Sequence, residues 1–503
     1  MANIDLKLNK WLAFIGVALL SFGAYLDYTV VNVALPTIQQ ELQADLTTLQ
    51  WVMNIYFLAL CVFAIIMGRL GDLFGRRRCL YIGVAIFSIA SIVAGCSPNV
   101  EWLIFGRLLQ GVGAAIILPL GPSLLPHSFP VHERAKSIAW LGSVGGIALA
   151  LGPVLGGVIV TYFSWRWIFF INIPIVILGY AFCMNNIKES RAKQQDALDW
   201  KGMVLLGLAI SGIVLSLIHS QTAGWNSLVT LVYLFVGIIS SILLFKVENK
   251  LAHPMIDFKD FAKPLFFSGG VLSFIVGVLS AVTLFFDPLY LQIIRGQSAQ
   301  LSGFVLFAIP IAVFLVAFMV EGLIARIDII KTILLALLIG LVSAMLHTFF
   351  HQATPLWYVI MTFILLGSVW AMGNTVPIIA AHAAVDSARM SSATGTLVTL
   401  FNIGGSIGLS IAVVIYNFVT AQSLKVVSAN INLESSQNVY LEKLVSNPSH
   451  ALEVSMGDTV HGIFNQVFIS GFSGVMWFLV ILSILLLVAV VVKNFFGRAI
   501  STD

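Results

Sequence analysis

Charge is scarce within the apolar stretches of this 503-residue chain, and four exceptions could do chemistry. Asp27 lies in LDYTVVNVALP (Leu26 to Pro36), Arg107 in LIFGRLLQGVGAA (Leu103 to Ala115), Asp287 in LFFDPLYLQ and Glu321 in VEGLIARID. A carboxylate shut away from bulk water can take up and release a proton or hold a cation, whereas an arginine stays charged. Placing such a group in hydrocarbon costs at least ~2.5–3.5 kcal/mol, so it faces a cavity or a counter-charge. Arg107, Gln110, Gly111 and Ala114 repeat at helical spacing and share one face. A cation, an amide and two small residues are therefore presented together, with a purely structural ion pair as the plain alternative.

The elements that hold these groups are membrane helices. Hydrophobic residues make up 59% of the chain and charged ones 10%, with a mean hydropathy of +1.01. A soluble domain carries about 25% charged residues. Apolar runs recur from Trp11 to Val492, and each, at about 20 residues, can cross ~30 Å of hydrocarbon as a helix that satisfies its own backbone. Fourteen spans are expected, centred near residues 24, 58, 88, 111, 148, 176, 210, 237, 277, 313, 341, 367, 405 and 480. The first is too long for a signal-peptide core and lacks a small-residue cleavage site, so it is expected to remain as an anchor.

Of the 26 Lys and Arg residues, a cytoplasmic N-terminus leaves only Arg166, Arg295, Lys425 and Lys443 outside, with Arg107 inside a span. That asymmetry predicts two cytoplasmic termini in the inner membrane. The net charge of +4 is then a topology signal and no sign of a nucleic-acid partner. The expected fold is all-α and integral to the membrane: a six-helix bundle over residues 1–187, a linker with two additional helices over 188–263, and a second six-helix bundle over 264–503. A long extracytoplasmic loop is expected at about 421–465, with helical pieces at the interface. Its length suits a periplasmic adaptor protein or, equally, a tolerated insertion.

Further strings add detail. GRLGDLFGRRR (Gly68 to Arg78) occupies a cytoplasmic turn: Gly68, Gly71 and Gly75 permit close backbones, Asp72 supplies a carboxylate, and arginines including Arg76 and Arg77 hold the turn inside. Such a carboxylate can latch onto the positive end of a facing helix. In the fifth span Gly145, Ala148, Gly152 and Gly156 make one smooth stripe beside Pro153 and Gly157, which serves close helix packing or a kink. Gly395, Asn402, Gly404, Gly405 and Gly408 echo it in the thirteenth. SWRWIFFINIPIVILG (Ser164 to Gly179) reads, taken alone, as an interfacial aromatic belt with a break at Pro174. Cys61, Cys79, Cys96 and Cys183 lack ligand or CxxC spacing, and His347 and His351, although at i and i+4, are expected at an exposed helix end. Neither a disulfide nor a metal is expected. No Ser/His/Asp cluster or HExxH occurs in the spans, which argues against an enzyme.

Together these strings resemble the major facilitator superfamily, and within it the fourteen-helix drug/proton antiporters. GWNS (Gly224 to Ser227), HPMIDFKDF (His253 to Phe261) and LYLQIIRGQS (Leu289 to Ser298) extend the resemblance through the additional helix pair. It implies two bundles rocking about a central cavity, the proton as coupling ion without other cofactor, and export of a hydrophobic, often cationic, compound by a monomer. A specific metabolite, siderophore or lipid-like compound is the rival cargo, and a non-transporting sensor a remote alternative. By the same resemblance Asp27 is a proton or cation site, Arg107 its tuning partner and Asp72 a gate residue. Two positions depart from the pattern: Ala148 replaces the usual glycine, and Ala325 stands where the second-half gate motif is acidic, with Glu321 as a substitute charge.

Depth ranks the acids. At 1.5 Å per residue Asp27 lies about 24 Å from Trp11, hence about 6 Å from the outer face, and Arg107 about 9 Å from Glu101, so the two can share a layer. Asp287, about 35 Å along its helix from Pro264, is expected in an outer vestibule, and Glu321, about 28 Å from Ser302, at the cytoplasmic side. Tyr25, Tyr28, Tyr56, Phe57, Phe285, Phe286, Tyr290, Trp370, Gln110 and Asn402 are candidate cavity residues, the aromatic ones suited to a flat cation.

Overall fold

The computed structural model describes residues 2–130, 133–190, 199–251, 258–385, 390–431, 441 and 458–496, all without a β-strand. The spanning helices are α1 (Ala2–Glu41), α2 (Leu46–Phe74), α3 (Arg76–Gly95), α4 (Val100–Leu124), α5 (Arg134–Tyr162), α6 (Trp167–Asn186), α7 (Trp200–Ala223), α8 (Leu228–Glu248), α9 (Pro264–Ile294), α10 (Ala299–Ile327), α11 (Ile329–His347), α12 (Leu356–Ala384), α13 (Met390–Ile431) and α14 (Asp458–Val491). Each falls on one of the expected centres. Thirteen are long and apolar enough to cross a bilayer. The fourteenth, α5, offers the shorter apolar stretch Ile147–Tyr162 among the described residues.

Backbone breaks follow proline. In α6 the helix is interrupted at Ile171, where Pro174 removes the donor that the Phe170 carbonyl would have accepted. In α10 the interruption falls at Phe307, three residues ahead of Pro310. The expected loop at 421–465 is shortened from both ends, since α13 continues to Ile431 and α14 begins at Asp458. The rest of that loop, Leu441 apart, lies outside the described residues, as do much of 188–201, residues 252–257 and the Asp72 side chain.

The chain divides into two compact units. One comprises Met1–Ala34, Trp51–Met203 and Ala299–Pro310; the other comprises Leu35–Gln50, Val204–Ser298 and Ile311–Asp503. Helices α7, from Val204, and α8 thus group with the second unit, while the start of α10 groups with the first.

Within the second unit α9 is the central element and nearly all its side chains are buried. Its neighbours approach through glycine. A Cβ placed on Gly277 would lie 1.9 Å from the Phe401 carbonyl oxygen of α13, and one on Gly404 would lie 2.2 Å from the Phe274 carbonyl oxygen of α9. Gly408 meets Val278 in the same seam, and Gly373 of α12 meets Val276. Small residues are the means by which helices associate in lipid, where burial of apolar surface supplies no driving force. Gly395 differs from the expected stripe, with nothing within 4 Å of its would-be Cβ. Gly277→Ala is expected to destabilise the protein by about 1–3 kcal/mol through overpacking, whereas Gly395→Ala is neutral or stabilises by up to about 1 kcal/mol through helix propensity. Thermal unfolding of the two purified variants in one detergent measures that contrast.

Candidate functional site

In the first unit the chemistry gathers on α1. Asp27 and Arg107 are both 0% exposed, and Nη1 of Arg107 donates to Oδ2 of Asp27 at 2.5 Å. The other carboxylate oxygen, Oδ1, accepts from Gln110 Nε2 at 3.0 Å and from Asn172 Nδ2 at 2.7 Å. The carboxylate thus has three donors, one of them on a guanidinium. The layer inferred from depth along the helices is the layer in which the two charges meet.

Arg107 is also held by groups that do not depend on Asp27. Its Nε donates to the Val52 carbonyl at 3.1 Å, its Nη1 to Gln110 Oε1 at 2.9 Å, and its guanidinium carbon stands 4.3 Å from the centre of the Tyr56 ring. Tyr56 is fixed in turn by its hydroxyl, which donates to the Ala24 carbonyl at 3.3 Å. Gly111 makes this reach available. A Cβ there would come within 2.9 Å of the Tyr56 carbonyl oxygen, so α2 and α4 touch backbone to backbone beside the arginine. Gln110 is oriented by donating to Ser91 Oγ of α3 at 2.9 Å. Nη2 of Arg107 and the amide oxygen of Asn172 have no hydrogen-bond partner among the described residues.

The stripe on α5 packs against the same stretch of α1. Would-be Cβ atoms on Gly145, Gly152 and Gly156 meet Tyr25, Thr29 and Val30 respectively. Pro153 cannot donate to the carbonyl of Leu149, and the Thr29 hydroxyl donates to it instead at 3.2 Å. Gly157 serves a different neighbour, lying against the backbone of Ala299 and Gln300 at the start of α10, and Gly303 lies against the Pro153 carbonyl. The GRLGDLFGRRR turn is organised by a carboxylate that sequence reading passed over. Glu189, just past α6, accepts from the backbone amides of Arg77 at 2.9 Å and Arg78 at 3.1 Å, at the N-terminus of α3. Its position explains Gly75, which has φ of 112° and would direct a Cβ within 2.8 Å of that carboxylate. Arg76 donates its amide to the Ser190 carbonyl at 3.1 Å and Arg77 its guanidinium to the Ile187 carbonyl at 2.9 Å. Gly71 packs on Leu120 of α4, whereas Gly68 has nothing within 4 Å and so is not needed for close approach.

Comparison with known proteins fits this architecture. The sequence model of the Major Facilitator Superfamily matches residues 17–409. The chain belongs to the major facilitator superfamily. Among its relatives, the multidrug resistance protein Stp of Mycobacterium tuberculosis is 31% identical over 80% of this chain and 75% of its own length. The tetracenomycin C resistance and export protein of Streptomyces glaucescens is 30% identical over 81% of this chain and 76% of its own. Among solved structures, a variant of the nucleoside transporter NupG superposes with a TM-score of 0.65, at 12% identity, over 96% of this chain and all of that one, a likeness of fold. The protein is thus a multi-pass membrane transporter of the drug-exporter type in this superfamily, not an enzyme.

In this facilitator the remaining candidates lie elsewhere. Asp287 is 0% exposed, buried inside the second unit where an open outer vestibule was expected, and Oδ2 stands 3.6 Å from Nε2 of His347. His347 itself is 1% exposed, against the expected exposed helix end, because Phe350 and Phe363 pack around its ring. Glu321 is exposed on α10 and joins neither cluster. Of the cavity candidates, Tyr28, Tyr56 and Phe57 pack edge to face on one another. Phe286 packs on Phe285 and Tyr416, and Tyr290 on Phe350 and Phe472. Tyr25 is half-buried, and Asn402 donates back to the Val398 carbonyl at 2.9 Å.

Two outcomes follow from the first-unit geometry. Arg107→Met strands a buried carboxylate and is expected to cost about 3–5 kcal/mol, with the Asp27→Asn/Arg107→Met double variant more stable than the Arg107→Met single. Denaturant titration in detergent reads both. Glu189→Ala is expected to raise hydrogen exchange at the Arg77 and Arg78 amides by roughly fivefold to thirtyfold, from loss of about 1–2 kcal/mol of capping. Peptide-resolved exchange mass spectrometry provides the measurement, with the Leu103–Ala115 segment as the control.

Proposed function

We propose that the protein is a proton-coupled antiporter which exports hydrophobic, cationic compounds across the cytoplasmic membrane by alternating access of two six-helix halves. Both termini face the cytoplasm in this reading, the transporter works as a monomer, and the segment beyond α13 is where an adaptor would dock. The carrying observation is the buried Asp27–Arg107 pair, with its three-donor carboxylate. The drug-resistance and export relatives support the cargo class, and the Lys and Arg distribution supports the orientation.

The chemistry is a competition for one oxygen. A proton arriving on Oδ2 of Asp27 turns that atom from acceptor to donor, so the bond from Arg107 Nη1 must open. Arginine keeps its charge, and it remains seated on the Val52 carbonyl, Gln110 Oε1 and the Tyr56 face. Protonation therefore loosens α1 from α4 without ejecting the cation, and loss of the proton restores the tie. Cationic cargo and proton are alternatives for the same negative charge, which is the physical basis of exchange.

One proton falling through 100 mV releases ~2.3 kcal/mol, enough to support a roughly fiftyfold gradient. Exchange of one proton for one monovalent cation moves no net charge, however, so that stoichiometry draws on the pH difference alone. Asp27→Asn in proteoliposomes is expected to reduce pH-gradient-driven export of ethidium by at least about tenfold, and gradient-free ethidium exchange falls with it because the variant lacks the negative charge that cargo and proton share. Undiminished gradient-driven export by that variant would sink the assignment.

A further inference from the structure

The second unit holds a pair of titratable side chains that the exchange described above does not use. Nδ1 of His347 lies 2.8 Å from the carbonyl oxygen of Ser343, one turn earlier on α11. Only a donor makes that contact favourable, so Nδ1 carries a hydrogen and Nε2 is the nitrogen that faces Asp287. Across the 3.6 Å between them, neither carboxylate oxygen nor Nε2 has a hydrogen-bond partner among the described residues. Aromatic rings close the surroundings, with Phe350 centred 4.8 Å and Phe363 5.8 Å from the imidazole.

Other titratable groups nearby are committed or neutral. Tyr290, on the turn after Asp287, donates its hydroxyl to the His351 carbonyl at 2.9 Å, and Tyr358 of α12 donates to the Leu346 carbonyl at 3.1 Å. Tyr416 of α13 is buried against Phe286, the side chain that α14 contributes to the aromatic cluster is Phe472, and Arg295 donates to the Thr354 carbonyl. With no proton between them, a bare carboxylate and an imidazole lone pair would face each other in an apolar shell, the costliest of the arrangements open to them. With one proton the pair is neutral in sum, whether as carboxylic acid beside imidazole or as carboxylate beside imidazolium.

We propose that Asp287 and His347 are a second proton-binding site, holding one proton jointly and exchanging it with water during transport, so that two protons enter for each monovalent cation exported. The inference rests on the antiport reading above. Uptake adds a proton from water at Nε2 or Oδ2; release returns it to water, and no other bond forms or breaks. Asp27 supplies the first proton and this pair the second. Two protons exchanged for one cation move one net positive charge inward, so the membrane potential drives export alongside the pH difference.

The full-length protein in proteoliposomes, with ethidium as probe, separates the alternatives. At equal pH, an inside-negative potential set by potassium and valinomycin is expected to accelerate ethidium export by the wild type. In Asp287→Asn and His347→Gln that acceleration ratio falls to about one while pH-driven export persists, and the double variant is no worse than either single. Absence of acceleration in the wild type, or its persistence in both single variants, overturns the proposal. The Asp27→Asn variant in the same assay keeps the two readings apart: survival of its pH-driven export removes Asp27 as the first proton site, whereas the second site stands or falls on the potential dependence of Asp287→Asn and His347→Gln. A titration independent of transport guards against a misfolded variant. In pH-difference infrared spectra of the detergent-purified protein, a carboxyl band present in the wild type is lost in Asp287→Asn and displaced in His347→Gln. A band indifferent to His347→Gln would show that the two side chains share no proton.

Discussion

A negative charge inside a hydrocarbon-embedded bundle is the constraint around which the first unit is organised. Asp27 cannot be solvated by lipid or by the aliphatic side chains beside it, so its charge requires partners fixed in place before transport begins. The chain supplies them from two other helices: Arg107 and Gln110 from α4 and Asn172 from α6. Each partner is itself anchored or placed by a local feature. Gln110 leans on Ser91, Arg107 reaches through the Gly111 contact to Val52 and Tyr56, and Asn172 sits at the proline-induced break in α6. Burying these groups is tolerable only because the network is nearly complete.

Packing along α1 follows from the same requirement. A helix that must align a carboxylate with donors on two neighbours needs a close approach on its other sides as well. Gly16 and Gly23 of α1 lie against Cys183 and Val176 of α6, and Tyr25, Thr29 and Val30 lie against the glycines of α5. Thr29, two residues beyond Asp27, gives the carbonyl left over by Pro153 its donor. The helices α5 and α1 are thereby joined by a hydrogen bond from a residue two positions beyond the acid. A change in the charge of Asp27 is therefore felt by α4 and α6 directly and by α5 through the same short stretch of α1.

How much of this could be read in advance depends on whether a residue stands out against its neighbours. Asp27 and Arg107 are charges among aliphatics, and depth along each helix sufficed to bring them together. Every spanning helix was visible because twenty apolar residues admit one backbone solution. Asn172 was hidden by its surroundings, since WRWIFFINIPI reads as an aromatic belt, although a lone amide within a span was a usable signal. Glu189 lies in a polar linker where one more charge is unremarked, and only the fold shows that it caps α3. Asp287 and His347 were misjudged in their burial because helix length gives depth and says nothing of which face turns inward. Aromatic residues were ambiguous for a related reason: a ring suited to a flat cation is equally suited to another ring, and Tyr28, Tyr56 and Phe57 have chosen each other.

The two buried acids differ in the chemistry of the group beside them, and this difference fixes what each can do. Arginine does not deprotonate, so a proton reaching Asp27 must break an ion pair, and the event is mechanical: a tie between α1 and α4 opens. An imidazole, unlike a guanidinium, has a ring nitrogen that can accept a proton, so a proton reaching Asp287 can be passed to His347 with the pair's total charge unchanged. The first arrangement suits a group that must alter helix contacts each time it is protonated. The second suits a group that must hold a proton in an aromatic enclosure at little electrostatic cost and give it up without rearranging α9, whose glycine-lined seams with α12 and α13 leave no room for displacement. In the proposed cycle the Asp27 proton is thus coupled to motion, and the Asp287 proton adds charge to the exchange while the central helix of the second unit stays in place.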